Sequence, residues 1–192
     1  MLRGLYDFTL RLAATRHALL ALAVISFLES SFFPIPPDVL MIPMILAAPR
    51  RAFLIAGVCL VSSVAGGLAG YAIGAYLMDS VGQGILSFYG KEDAFAQFTT
   101  TYNEWGAWAV LIAGVTPFPY KVITITSGAT GLDLVVFTVA SIVARGLRFF
   151  IVAGLLWKFG APMRHFIEAR LGLLFTLFVA LLLGGFVLVR YM

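Results

Sequence analysis

The chain has 192 residues, 61% hydrophobic and 11% charged, with a mean hydropathy of +1.01. Soluble domains run near about 45–50% apolar and roughly 25% charged, so an ordinary soluble enzyme, a disordered chain and a nucleic-acid binder are excluded. Thirteen Lys+Arg against nine Asp+Glu leave +4, but the bases stand in ones and twos and form no stripe that could follow a phosphate backbone. The single cysteine, Cys59, lies in an apolar run. It supplies neither a disulfide framework nor metal-ligand spacing, and neither a metal nor another cofactor is expected. One multi-pass membrane domain over 1–192, with an all-α fold, fits these bounds.

In chain order, residues 2–16 set Leu2, Leu5, Phe8, Leu12 and Ala13 against Arg3, Asp7, Arg11 and Arg16. This predicts an amphipathic helix over 1–16, lying at the interface. Ala18–Leu28 follows, apolar but ended by Glu29-Ser30-Ser31-Phe32-Phe33-Pro34 and not by a small-residue cleavage site, so it is expected to stay in the mature protein. After Pro34, Pro36, Pro37 and Asp38 comes a second apolar piece, Val39–Ala48. Each piece is roughly 15 Å long as helix, half a bilayer. The prolines break any helix between them. Two half-depth helices around a proline tip describe a re-entrant hairpin.

Ala52–Leu77 is long enough to span. A polar loop is expected over 79–104. Trp105–Val115 is apolar again, then Thr116-Pro117-Phe118-Pro119-Tyr120-Lys121 and the weakly polar Val122–Gly131. Pro34, Pro36 and Asp38 map onto Pro117, Pro119 and Lys121 at one constant offset, and Leu134–Trp157 maps onto Ala52–Leu77. The chain therefore reads as an inverted repeat, 17–78 and 105–158, each a re-entrant Pro hairpin plus a transmembrane helix. A C-terminal transmembrane helix over 171–189 is added. Paired Pro-interrupted hydrophobic segments point to a transporter-type site. Re-entrant hairpins put Arg3, Arg11, Arg16, Arg50, Arg51, Lys158, Arg164 and Arg170 on one side, which the positive-inside rule makes cytoplasmic along with the N-terminus. Asp79, Glu92, Asp93, Glu104 and Asp133 fall opposite, with Lys91.

Glu29, Asp38 and Lys121 then sit at the tips, while Arg145 and Arg148 lie well inside Leu134–Trp157. Ionisable groups at that depth are costly and are functional candidates by default. Irregular backbone there must be buried in protein or line a wet cavity, so the five are expected to share one polar cavity. Three cations and two acids leave +1, suited to a lipid phosphate that Arg grips with its planar fork. Lys121, Arg145 and Arg148 are the candidates for binding an anionic headgroup. Glu29 and Asp38 are the candidates for proton exchange or headgroup release. The plainer alternative is a set of ion pairs that only pin the hairpins together. Gly66, Gly70 and Gly74 form a small-residue ridge for close packing, internal or between subunits, so a homo-oligomer stays open. Trp105, Trp108 and Trp157 suit interfacial anchoring. His17 and His165 flank membrane ends and do not make a metal site. No histidine lies in either hairpin to activate Ser30, Ser31, Ser62, Ser63 or Ser141, so no catalytic residue and no enzyme is expected.

At Glu29-x-x-x-Phe33-Pro34-x-Pro36-Pro37-Asp38 the chain resembles the DedA superfamily, also called the SNARE-associated or VTT-domain family, and most of all its YqaA-like branch. The likeness covers roughly residues 15–160. It implies an inner-membrane protein of bacteria with re-entrant hairpins, linked to lipid scrambling or flipping, polyprenyl phosphates among the cargo, and to proton motive force and envelope homeostasis. The family's membrane-embedded acids carry over to Glu29 and Asp38. Its second hairpin commonly bears arginines around the proline, where this chain has Val115 and Thr116 and only Lys121 as a cation. The expected function is a flippase or scramblase for phosphate-bearing lipids, polyprenyl phosphate or anionic phospholipid, with protons as a second partner. The alternatives are a proton-coupled small-solute or ion transporter, and a non-transporting membrane assembly factor.

Overall fold

The structure, a computed structural model, describes residues 17–33, 36–116 and 118–160. The expected helices over 1–16 and 171–189, together with Pro34, Pro117, Arg164, His165 and Arg170, lie outside the described residues. What is described is helical, without strands. Helix α1 is Ala18–Ser31 and α2 is Asp38–Ala47. A single 3-10 turn, Pro49–Arg51, leads into α3, Ala52–Leu77. A π turn, Met78–Gly82, carries α3 on into α4, Gln83–Tyr89. Helix α5 is Glu92–Val115, α6 is Tyr120–Ala129 and α7 is Leu134–Gly160.

Both breaks fall where the prolines stand. Helix α1 stops as the Phe32 and Phe33 amides converge on the Leu28 carbonyl, and α2 restarts after Pro37. Pro43 sits buried within α2 and supplies no N–H to the Val39 carbonyl. Helix α5 ends at Thr116, and α6 begins after Pro119. Between α6 and α7 the turn is chemically specified. Gly131 takes a positive φ of 63°, the Leu132 amide reaches back to Ser127 and the Gly131 amide to Gly128. Two residues later Asp133 caps α7, its Oδ1 accepting the Val135 and Val136 amides at 3.0 and 2.9 Å. A left-handed glycine stop followed by an Asp N-cap satisfies orphan carbonyls of one helix and orphan amides of the next.

The expected polar loop over 79–104 is corrected: the stretch is helical apart from a short link at Gly90–Lys91, and α5 reaches back to Glu92. Gly90 closes α4 with φ 58°, and Glu92 and Asp93 open α5. Acidic side chains in a first turn complement the helix dipole, so polar sequence here makes exposed helix.

Glycines set how closely α3 meets its neighbours. A Cβ at Gly66 would strike the Phe27 backbone of α1, and one at Gly70 would strike Thr124. Gly74 lies on the Ile125 carbonyl of α6, and Gly128 of α6 lies on the Tyr71 carbonyl of α3. That reciprocal contact brings two backbones together as only glycine permits. The expected small-residue ridge is thus an internal contact. Helices α1 and α6 both pack on α3. Leu40, Met41, Met44 and Ile45 of α2 join one apolar cluster with Phe149, Ala153 and Leu156 of α7, and Gly114 of α5 abuts Ala144 of α7. A second cluster gathers Val110, Tyr120, Phe137 and Ala140. Between the two clusters, along both α3 and α7, lies a buried polar layer containing Ser63 and Arg145. Each stands eleven residues into its helix, about 16 Å from the end.

Candidate functional site: two ion pairs between the helix breaks and the last long helix

Arg145 is almost fully buried, its side chain 2% exposed. Its Nη2 donates to Glu29 Oε2 at 2.7 Å and its Nε to Ser63 Oγ at 2.6 Å. The guanidinium carbon lies 4.7 Å from the ring centroids of both Tyr120 and Phe149. Ser30 closes the group, donating to Glu29 at 3.1 Å and lying 2.7 Å from Ser63 Oγ. An arginine held by a carboxylate, a hydroxyl and two ring faces is compensated in the way a buried cation requires. The cluster ties α1, α3, α6 and α7 at one point. Beneath it Tyr120 donates to Ser141, and Thr124 reaches the Ser30 carbonyl at 3.1 Å.

Arg148, one turn further along α7, is placed differently. Its Nη2 donates to Asp38 Oδ2 at 2.7 Å, in the first turn of α2, and its Nη1 to the Thr116 carbonyl at 2.9 Å, at the end of α5. One guanidinium therefore holds both helix breaks. This pair is the more open one, 19% and 20% exposed for Arg148 and Asp38.

Four of the five expected residues thus come together as two ion pairs. Lys121 stands in the first turn of α6 and, among the described residues, takes part in neither. Of the five candidate charges it is the one that stands outside an ion pair among the described residues. Of the prolines that break the hairpins, Pro36, Pro37 and Pro119 lie at the described edges of the two breaks. Sequence reasoning missed Tyr120, Phe149 and the Thr116 carbonyl. Tyr120 carried a signal, an aromatic with a polar tip wedged between Pro119 and Lys121, whereas a backbone carbonyl carries none. Ser30 and Ser63 bond Arg145 and Ser141 bonds Tyr120, while Ser31 donates to the Gly66 carbonyl. Cys59 is fully buried among apolar side chains. Trp105, Trp108 and Trp157 are exposed.

A separate cleft of about 720 Å³ opens between α3, α4, α5 and α6, lined by Tyr71, Asp79, Gln83, Glu92, Thr99 and Thr130 among others. None of the five charged residues reaches it, so it belongs to the acidic helical region and not to the ion pairs.

Long apolar helices with charges paired midway along them define a membrane protein whose polar chemistry is internal. The VTT-domain profile matches residues 33–158, and the chain belongs to that family, the DedA or SNARE-associated family. It is 39% identical over 168 residues to an uncharacterised protein of Haemophilus influenzae, covering 85% of this chain and 87% of the relative. An uncharacterised protein of Histophilus somni is 37% identical over the same extent. No solved structure matches the chain significantly.

Proposed function

We propose that the protein moves a phosphate-bearing lipid headgroup across the bacterial inner membrane through the polar layer between its two helix breaks. Arg148, joined at once to Asp38 and to the Thr116 carbonyl, is the observation that carries this reading. The proposed architecture is an inverted repeat of re-entrant hairpins with a cytoplasmic N-terminus. The packing supports it. Helix α3 is flanked by α1 of its own repeat and α6 of the other, while α7 is flanked by α5 of its own and α2 of the other. Such an exchange places both breaks against the middle of the spanning helices. Lys121, Arg145 and Arg148 supply the cations for a phosphate, and Glu29 and Asp38 are the acids through which protons couple or the headgroup is released. The acids and cations are already balanced save for Lys121, which leaves the layer one positive charge to be met by an anion.

Translocation in liposomes tests this. Labelled phospholipid and labelled polyprenyl phosphate are followed for the wild type and for Lys121→Ala and Glu29→Gln. Wild-type movement that falls at least tenfold in folded variants is expected. Folded wild type that moves neither lipid, across pH and imposed potential, sinks the lipid reading in favour of a solute transporter or an assembly factor.

A further inference from the structure

Both ion pairs have the same contact distance, 2.7 Å, yet their surroundings are unlike. Arg145 has its Nε and Nη2 on Ser63 and Glu29, lies between two aromatic rings and is 2% exposed. Moving either partner would strand a charge in a closed apolar setting. Arg148 and Asp38 are each about one-fifth exposed, and among the described residues the Asp38 carboxylate receives one hydrogen bond, from one Nη. A carboxylate held by one hydrogen bond at an accessible guanidinium is a weak occupant compared with a phosphate, which can take two parallel bonds from the same fork. Asp38 belongs to one helix break and Thr116 to the other, so whatever replaces Asp38 on Arg148 also separates the breaks.

We infer that the two pairs have opposite roles: Arg145–Glu29 is a permanent pin, whereas Arg148–Asp38 is a latch in which Asp38 stands in for the phosphate and is displaced by it. This rests on the lipid reading above and narrows it: Arg145 and Glu29 drop out of the headgroup site as a structural pair, leaving Arg148 and Lys121 as its cations and Asp38 as its acid. Arg148 is the residue that grips the headgroup, and Asp38 is a built-in competitor that keeps the breaks together while the site is empty. The Thr116 carbonyl holds the guanidinium in place as the carboxylate leaves. Lys121, five residues beyond Thr116 on the same break, adds the second cation once Asp38 has withdrawn.

The test is calorimetric titration of the full chain in phosphatidylcholine nanodiscs, with dihexanoyl phosphatidic acid in one arm and inorganic phosphate in the other. Asp38→Asn is expected to bind phosphatidic acid at least tenfold more tightly than wild type, Glu29→Gln no more tightly, and the gain is expected to vanish in Asp38→Asn/Arg148→Gln. A folded Asp38→Asn that binds no better, or a gain that survives loss of Arg148, overturns the latch. Tightening for inorganic phosphate with none for phosphatidic acid keeps the latch but removes the lipid. Binding of neither probe by wild type or Asp38→Asn overturns both. Wild-type protein gives a second readout that needs no variant. Phosphatidic acid should speed amide exchange at Leu40 and Met41, whose N–H groups donate to Pro37 in the first turn of α2, and leave α1 unchanged. No change at α2 in protein that binds the lipid also overturns the latch.

Discussion

Glu29 and Arg145 are 116 positions apart, and Asp38 and Arg148 are 110 apart. Charge in an apolar run is visible in the sequence, which is why Glu29, Asp38, Lys121, Arg145 and Arg148 could be picked out. Which acid meets which arginine is set by the crossing of helices, and no local pattern encodes it. Arg145→Ala leaves the Glu29 carboxylate beside Ser30 and Ser63 without its cation, and losing one partner of a buried pair costs about 3–5 kcal/mol. Thermal unfolding in detergent should show that loss, with Glu29→Gln/Arg145→Gln milder than Arg145→Ala alone because no charge is left stranded. Equal stability of Arg145→Ala and wild type would rule out the pin. Tyr120→Phe should cost about 1 kcal/mol, since it removes one hydrogen bond to Ser141 and keeps the ring under Arg145.

At the scale of elements, hydropathy and proline placed α1, α2, α3, α6 and α7 within a few residues of their observed ends, because apolar runs and helix breakers are local signals. Helix α4 and the polar half of α5 escaped the same reading. Their sequence lacks an apolar run, and they form helix in an exposed region where nothing apolar has to be buried. The short turn from α6 to α7 rests on Gly131 and Asp133, a stop and a start readable only once both helices are known. Gly128→Val would drive its side chain into the Tyr71 backbone, where no side chain can give way, and should destabilise the fold by about 1–3 kcal/mol or more. Gly57→Ala meets open space and should shift stability by no more than about 0.5 kcal/mol. Comparable melting temperatures for the two variants would contradict the close crossing of α3 and α6.

For the whole molecule, the proposed topology puts Arg50 and Glu92 on opposite faces of the membrane. With Cys59 replaced by Ala, single cysteines at Arg50 and Glu92 should react with a membrane-impermeant maleimide from opposite faces of the membrane. Arg50 should be protected in intact spheroplasts and Glu92 labelled. Both reacting from one face would exclude a single crossing by α3. The polar layer, the two apolar clusters and the exchanged packing of arms on spanning helices exist only at this scale. Composition, by itself, determined that the chain is a helical membrane protein, because so little charge in so much apolar sequence is stable only where lipid replaces water. The prolines determined where helices break, and isolated charges marked where polar chemistry must lie. The tertiary structure alone decided that Arg145 is sealed between rings while Arg148 is left partly open across both breaks. Burial and partner choice depend on which helices cross at mid-depth, and the energy of a charge depends on what surrounds it in space.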